Sequence, residues 1–166
     1  HIGEATTFTL VPQVVDAVNI PVIAAGGIAD HRGVDAAFAL GAKGVQVGTV
    51  LLASRECPIH ENYKSKIIKA KDTDTVVTGR EAKAPVRVLK NKMAIQYLRL
   101  SKQSVNRDEL EKLTLGSLTR AVKDGDVDKG SFMAGQVAGM IDAVRDVEEI
   151  ITTMFKRSKL LGGRYL

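Results

Sequence analysis

The chain has 166 residues, 45% of them hydrophobic and 26% charged, the composition of a globular domain that can bury a core. No run reaches the roughly 18 apolar residues of a membrane span, and no basic-then-apolar leader pattern is present. The lone Cys57 excludes a disulfide framework or a cysteine-built zinc site within the chain, so a reducing, cytoplasmic setting is expected. The excess of 24 Lys and Arg over 19 Asp and Glu admits anionic ligands or an acidic partner. With 4% aromatics and no Trp there is little to stack on bases, so nucleic acid is not an expected partner.

His1 stands almost directly before Gly3 and a helix start, so the chain is expected to be part of a longer one. Phe8, Val11, Val15 and Val18 are spaced three, four and three apart, which predicts an amphipathic helix entered from Thr6-Thr7, with Pro12 near its start. Pro21 to Ala25 is short and wholly apolar, as in a parallel strand covered on both sides, and Gly26-Gly27 ends it. Asp30 can cap a second helix carrying Val34, Ala37 and Phe38, and Gly41 suits its left-handed C-terminus. Gly44 to Val47 is a second strand, closed by Gly48-Thr49 and followed by apolar Val50 to Ala53. One βα unit separates the strands, which predicts parallel strands joined by a helical crossover, in a barrel or a doubly wound sheet.

The rhythm stops after Pro58. Lys64, Lys66, Lys69 and Lys71 crowd a helix with Tyr63, Ile67 and Ile68. Thr75 to Thr78 and Pro85 to Val88 read as short strands about a Gly79 turn, Met93 to Leu100 and Leu110 to Leu118 as helices, and Met133 to Val144 and Val147 to Phe155 as returning helices. The expected organisation is a barrel segment over residues 1–55, a small substrate or cap lobe over 56–128, and helices rejoining the barrel over 129–166, whose basic end frays.

Glycines at the C-terminal ends of two neighbouring parallel strands let the backbone approach an anion, and the following helix N-termini present free N–H groups. A lone Gly-Gly is more often a tight turn. The paired Gly26-Gly27 and Gly48-Thr49 correspond to the phosphate site after the last two strands of a (β/α)8 barrel, and Thr49 adds a hydroxyl. Gln46 lies two residues before Gly48 on the same side of its strand, placed either to bond a cofactor or to be satisfied by a neighbour. Glu4 is a site carboxylate or a helix-dipole acid. His31 and His60 read as solvated loop histidines. The aspartates at 72, 74, 124, 126 and 128 lack metal-loop spacing, so no metal site is expected. The small residues from Ser131 to Gly139 allow close helix packing or a cofactor or substrate role for Gln136.

Four segments in order, His1-Ile2-Gly3-Glu4-Ala5-Thr6-Thr7-Phe8, Ile23-Ala24-Ala25-Gly26-Gly27-Ile28-Ala29, Val45-Gln46-Val47-Gly48-Thr49 and Met133-Ala134-Gly135-Gln136, resemble the FMN-dependent type II enoyl-acyl-carrier-protein reductases, relatives of the nitronate monooxygenases (2-nitropropane dioxygenases). The resemblance runs from His1 to about Gly139 and is weakest in the lobe. It implies the C-terminal part of a (β/α)8 TIM barrel, with an inserted small lobe and an upstream half supplying the remaining strands. It implies FMN phosphate at Gly26, Gly27, Gln46, Val47, Gly48 and Thr49, and His1 as the active-site histidine beside the flavin ring. It implies NADH or NADPH as reductant and an enoyl thioester on acyl carrier protein as substrate, and it leaves a homodimer open. In the monooxygenases Arg-Gly tends to follow this histidine, whereas Ile2-Gly3-Glu4 resembles the reductases. A monooxygenase oxidising alkyl nitronates with oxygen is the alternative, and a non-catalytic phosphate-ligand domain or structural fragment is a further one. On the reductase reading the lysines from 64 to 71 either form a solvated helix face or steer the acidic carrier.

Overall fold

The computed structural model describes residues 2–103 and 106–158. α1 (Thr7–Ala17), β1 (Ile23–Ala25), α2 (His31–Ala39) and β2 (Gly44–Gln46) form the expected βα rhythm, and β1 and β2 pair in parallel, Ala24 beside Val45 and Ala25 beside Gln46. Side chains alternate across so short a strand. Ala24 is buried against the helices, while Ile23 and Ala25 are exposed on the other face, and no third strand joins this sheet among the described residues. The chain is thus α/β, with two strands whose second face is bare.

α2 starts where the side chain of Asp30 accepts the N–H groups of Arg32 and Gly33. It buries Val34 and Ala37 and packs on α8 (Val147–Lys156), which buries Ile150 and Met154. After α3 (Thr49–Leu52) and α4 (Glu61–Ile68) comes an antiparallel hairpin of β3 (Thr75–Thr78) and β4 (Val86–Leu89). α5 (Lys92–Lys102) and α6 (Arg107–Thr114) follow, then α7 (Ser117–Thr119), which runs into a π-helical turn over Arg120–Asp124. One apolar cluster extends from Val11, Ala24 and Val34 through Tyr63, Ile67 and Leu89 to Phe132 and Met154. Ile67 and Phe132 have no exposed surface, and each such side chain contributes about 1.5–3 kcal/mol relative to leaving it in water.

Three expectations change. The apolar face of α1 is not one buried stripe: Val11 is 5% exposed but Phe8 is 70% exposed, and with Leu10, Val14, Val18, Ile20 and Ile23 it makes an apolar surface that nothing among the described residues covers. Met133 to Val144 is not a helix, because the Ala134 amide donates to Arg87 and Met133 bridges Val88. Backbone groups spent on β4 are lost to a helix, and only a 3-10 helix, Gln136–Met140, forms. The helix expected over Leu110 to Leu118 forms in two pieces: α6 stops at Thr114, Gly116 at φ 70° sits in the left-handed region, and α7 resumes at Ser117. No helix among the described residues is long and apolar enough to cross a membrane.

Candidate phosphate site at the strand ends

Because Ala25 pairs with Gln46, Gly26-Gly27 and Val47-Gly48 leave the sheet side by side. Gly26, Gly27, Gln46 and Gly48 are all exposed. Gly26 and Gly27 take φ 100° and 76°, a backbone that glycine adopts freely and other residues only with strain. Thr7 on α1 donates its hydroxyl to Gly26 O at 2.9 Å and so fixes the first loop. Gly48 differs, because its φ of −127° suits any residue and a Cβ built there would meet nothing within 4 Å. The space beside it is open, and packing within the chain does not demand a glycine. The amides of Gly27, Gly48 and Thr49 enter none of the turn, loop or cap hydrogen bonds of the described residues, which leaves them as donors for an anion.

Thr49 ties this corner to the rest of the chain. Its Oγ1 accepts the Gly135 N–H at 2.8 Å, so its own hydroxyl hydrogen is left to donate elsewhere. Gly135 ends a strap that is anchored twice more: Ala134 N–H donates to Arg87 O, and the Tyr63 hydroxyl donates to Met133 O at 2.7 Å. Burial pushes the Tyr63 phenol well above its usual range, only partly opposed by the bond to Met133, and keeps it a neutral donor. Gln136, next in the chain, is exposed and starts the 3-10 helix that packs against α3.

Of the sequence-derived site residues, the fold gathers Gly26, Gly27, Gln46, Val47, Gly48 and Thr49 at one edge and brings Gln136 to it through Gly135. His1 lies outside the described residues. The Gln46 carboxamide has no hydrogen-bond partner among them, and Val47 packs its side chain against the core. α2 contributes no free N-terminus, since Asp30 already occupies the first-turn amides. Burial raises the Asp30 carboxyl, but the Arg32 side chain and the Gly33 and Arg32 amides outweigh it and hold it below the usual carboxylate value. Glu4 precedes a helix that has no acid in its first turn. His60 is no solvated loop residue: its Nδ1 accepts the Asn62 N–H at 3.0 Å and caps α4. Lys64 is buried and its Nζ pairs with Glu61 at 3.1 Å, while Lys66 is half-buried, so the lysine run is not one solvated face. Sequence reasoning missed Thr7, Tyr63 and Gly135 as supports, although Thr7 and Gly135 stand inside the motif segments.

The sequence profile of the nitronate monooxygenase family matches residues 1–157. A protein of Staphylococcus saprophyticus named "Probable nitronate monooxygenase" is 41% identical over 126 residues, 75% of this chain and 34% of that protein. Among solved structures, FabK from Thermotoga maritima superposes with a TM-score of 0.92 at 50% identity, over 99% of this chain and 52% of its own. A nitroalkane oxidase from Streptomyces ansochromogenes gives a TM-score of 0.75 at 26% identity, over 96% of this chain and 45% of its own. The chain therefore spans about a third of that curated relative and about half of these solved chains.

Proposed function

The chain belongs to the nitronate monooxygenase family, and from that premise we propose that it is the C-terminal half of an FMN-dependent oxidoreductase that reduces the carbon-carbon double bond of enoyl-acyl-carrier-protein thioesters with NADH or NADPH. The observation that carries the cofactor assignment is the corner at Gly27 and Gly48-Thr49. It combines open space where a Cβ at Gly48 would stand, amides outside the turn and cap network, and a Thr49 hydroxyl held by the Gly135 amide with its own hydrogen to spare. These are the donors that a phosphate monoester needs, and they fit the phosphate of FMN. FMN, when bound, supplies the hydride chemistry.

The chain's own residues bind and orient. Gly26 and Gly27 would let the backbone approach the phosphate and Gly48 and Thr49 would donate to it, while Thr7 and the Met133–Gly135 strap hold both loops in place. Gln46 and Gln136 offer carboxamides beside the same edge, and His1 is proposed beside the flavin ring on the strength of the motif resemblance. The bare face of β1 and β2 is where the upstream strands of a closed barrel would pack, with residues 56–128 as a cover for the barrel mouth.

The names of the curated relative and of the nitroalkane oxidase favour a second reading, oxidation of alkyl nitronates with oxygen. The sequence after His1 and the 50% identity to FabK support the first. Steady-state turnover of the full-length protein separates them. The reductase reading expects crotonyl thioester to reoxidise the NADH-reduced protein faster than alkyl nitronate and oxygen turn over. The reverse order overturns it.

A further inference from the structure

Away from the strand ends, a lysine-lined groove of about 400 Å³ lies between α4 and β4. That volume falls within the range of ligand clefts. Lys66, Lys69 and Lys90 line it, with Ser65 as a hydroxyl donor and Leu89 as an apolar wall, and its one carboxylate is Asp74. None of the three lysines enters an ion pair among the described residues. Asp74 accepts the Lys71 N–H at 2.9 Å, and the nearby Asp128 is paired with Lys92 at 2.8 Å. Lys66 is half-buried, with its Nζ 5.5 Å from the centroid of the Phe132 ring, and burial holds its pKa below the usual lysine value despite Asp74 and Asp128. An anion in the groove would reverse that penalty. Phe132, whose ring lies beside Lys66, is three residues from Gly135, so those two Cα atoms are at most about 11 Å apart.

We propose that this groove binds a phosphate ester carried by the substrate or the reductant, with Lys66, Lys69 and Lys90 neutralising the phosphate and Leu89 covering its organic part. The groove's affinity for phosphate stands on its geometry alone; the two ligand sources, a phosphopantetheine arm or a nicotinamide dinucleotide, rest on the oxidoreductase reading.

The test is an amide-shift titration of the isotope-labelled full-length protein with inorganic pyrophosphate, repeated on Lys69→Gln/Lys90→Gln, which changes only exposed side chains. Saturable shifts at Lys66, Lys69 and Lys90, with affinity about a hundredfold weaker in the double variant, are expected for two lost charge-assisted contacts. Shifts at Gly48 report the other site separately, so loss of the flavin reading would not mask the result. Parallel titrations use 4′-phosphopantetheine against pantetheine, and nicotinamide dinucleotide against nicotinamide riboside. Binding of one phosphorylated member and not its counterpart identifies the source. Groove amides that do not move with pyrophosphate, or equal binding by a folded double variant, overturn the proposal. If the double variant does not fold, the unmodified protein's titration decides alone.

Discussion

The Gly135 amide and the Thr49 hydroxyl meet at 2.8 Å although 86 residues separate them in sequence. That one bond joins the strap bonded to β4 to the loop leaving β2, and it leaves the Thr49 hydrogen to point away from Gly135. Thr49→Val keeps the shape but removes acceptor and donor. It is expected to cost about 1–3 kcal/mol, because the Gly135 amide loses its partner, and to weaken FMN binding about tenfold through the lost donor. Thr49→Ser keeps both functions and should retain near-native affinity. Equal flavin affinity for Thr49→Val and the unmodified protein would remove the hydroxyl from the site.

Gly48 and Gly27 should respond differently to a side chain. At Gly48 the backbone is unstrained and the space empty, so Gly48→Ala is expected to leave thermal stability within about 0.5 kcal/mol, as at a surface position. At Gly27, φ 76° imposes about 1–2 kcal/mol on any L-residue before a ligand is considered. Melting curves of the two alanine variants compare them directly.

Tyr63 supports the strap from beneath, with its ring against Phe132 at a centroid distance of 4.8 Å and its hydroxyl on Met133 O. Tyr63→Phe retains the ring contact and strips a part-buried carbonyl of its donor, with an expected loss of about 1–2 kcal/mol. Because burial holds the phenol protonated far into the alkaline range, the unmodified protein should show no Tyr63 phenolate absorbance below pH 10. A tyrosinate band there assigned by its loss in Tyr63→Phe would contradict the buried, bonded hydroxyl.

Asp30 sets a pH dependence. Its folded pKa lies below the ordinary 3.8, so its charged form stabilises the fold fully above that value, and the contribution is lost as pH falls through the lower folded pKa. Asp30→Asn keeps a capping oxygen for Arg32 and Gly33 but cannot titrate. Its acid-unfolding curve should be flatter below pH 4 than that of the unmodified protein, and superposable curves would deny the carboxylate this part.

The glycines and the strand runs were legible in the sequence because each is a local signal: an apolar run ending at a residue without a Cβ has one economical reading. Asp30 as a cap and the Thr75 to Thr78 hairpin strand were legible for the same reason. The strap was not. Met133 to Val144 carries apolar residues at helical spacing, and only the competition of β4 for its amides, a contact with residues more than 40 positions earlier, decides otherwise. Phe8 falls in α1 as the spacing predicts, but spacing shows which residues share a face and not whether anything covers that face. The lysine run concealed a buried Lys64 and a half-buried Lys66, since a long aliphatic stem packs like an apolar side chain.

The phosphate anchor is tested most directly by comparing FMN with riboflavin, which differ only in the phosphate, as ligands of the full-length apoprotein and of its Gly48→Val variant. If Gly27, Gly48 and Thr49 hold the phosphate, FMN should bind at least about a hundredfold more tightly than riboflavin, the equivalent of one or two charge-assisted hydrogen bonds. In Gly48→Val that advantage should collapse while riboflavin affinity stays nearly unchanged. Equal binding of the two flavins by the unmodified protein, or an undiminished preference for FMN in the variant, would contradict the site.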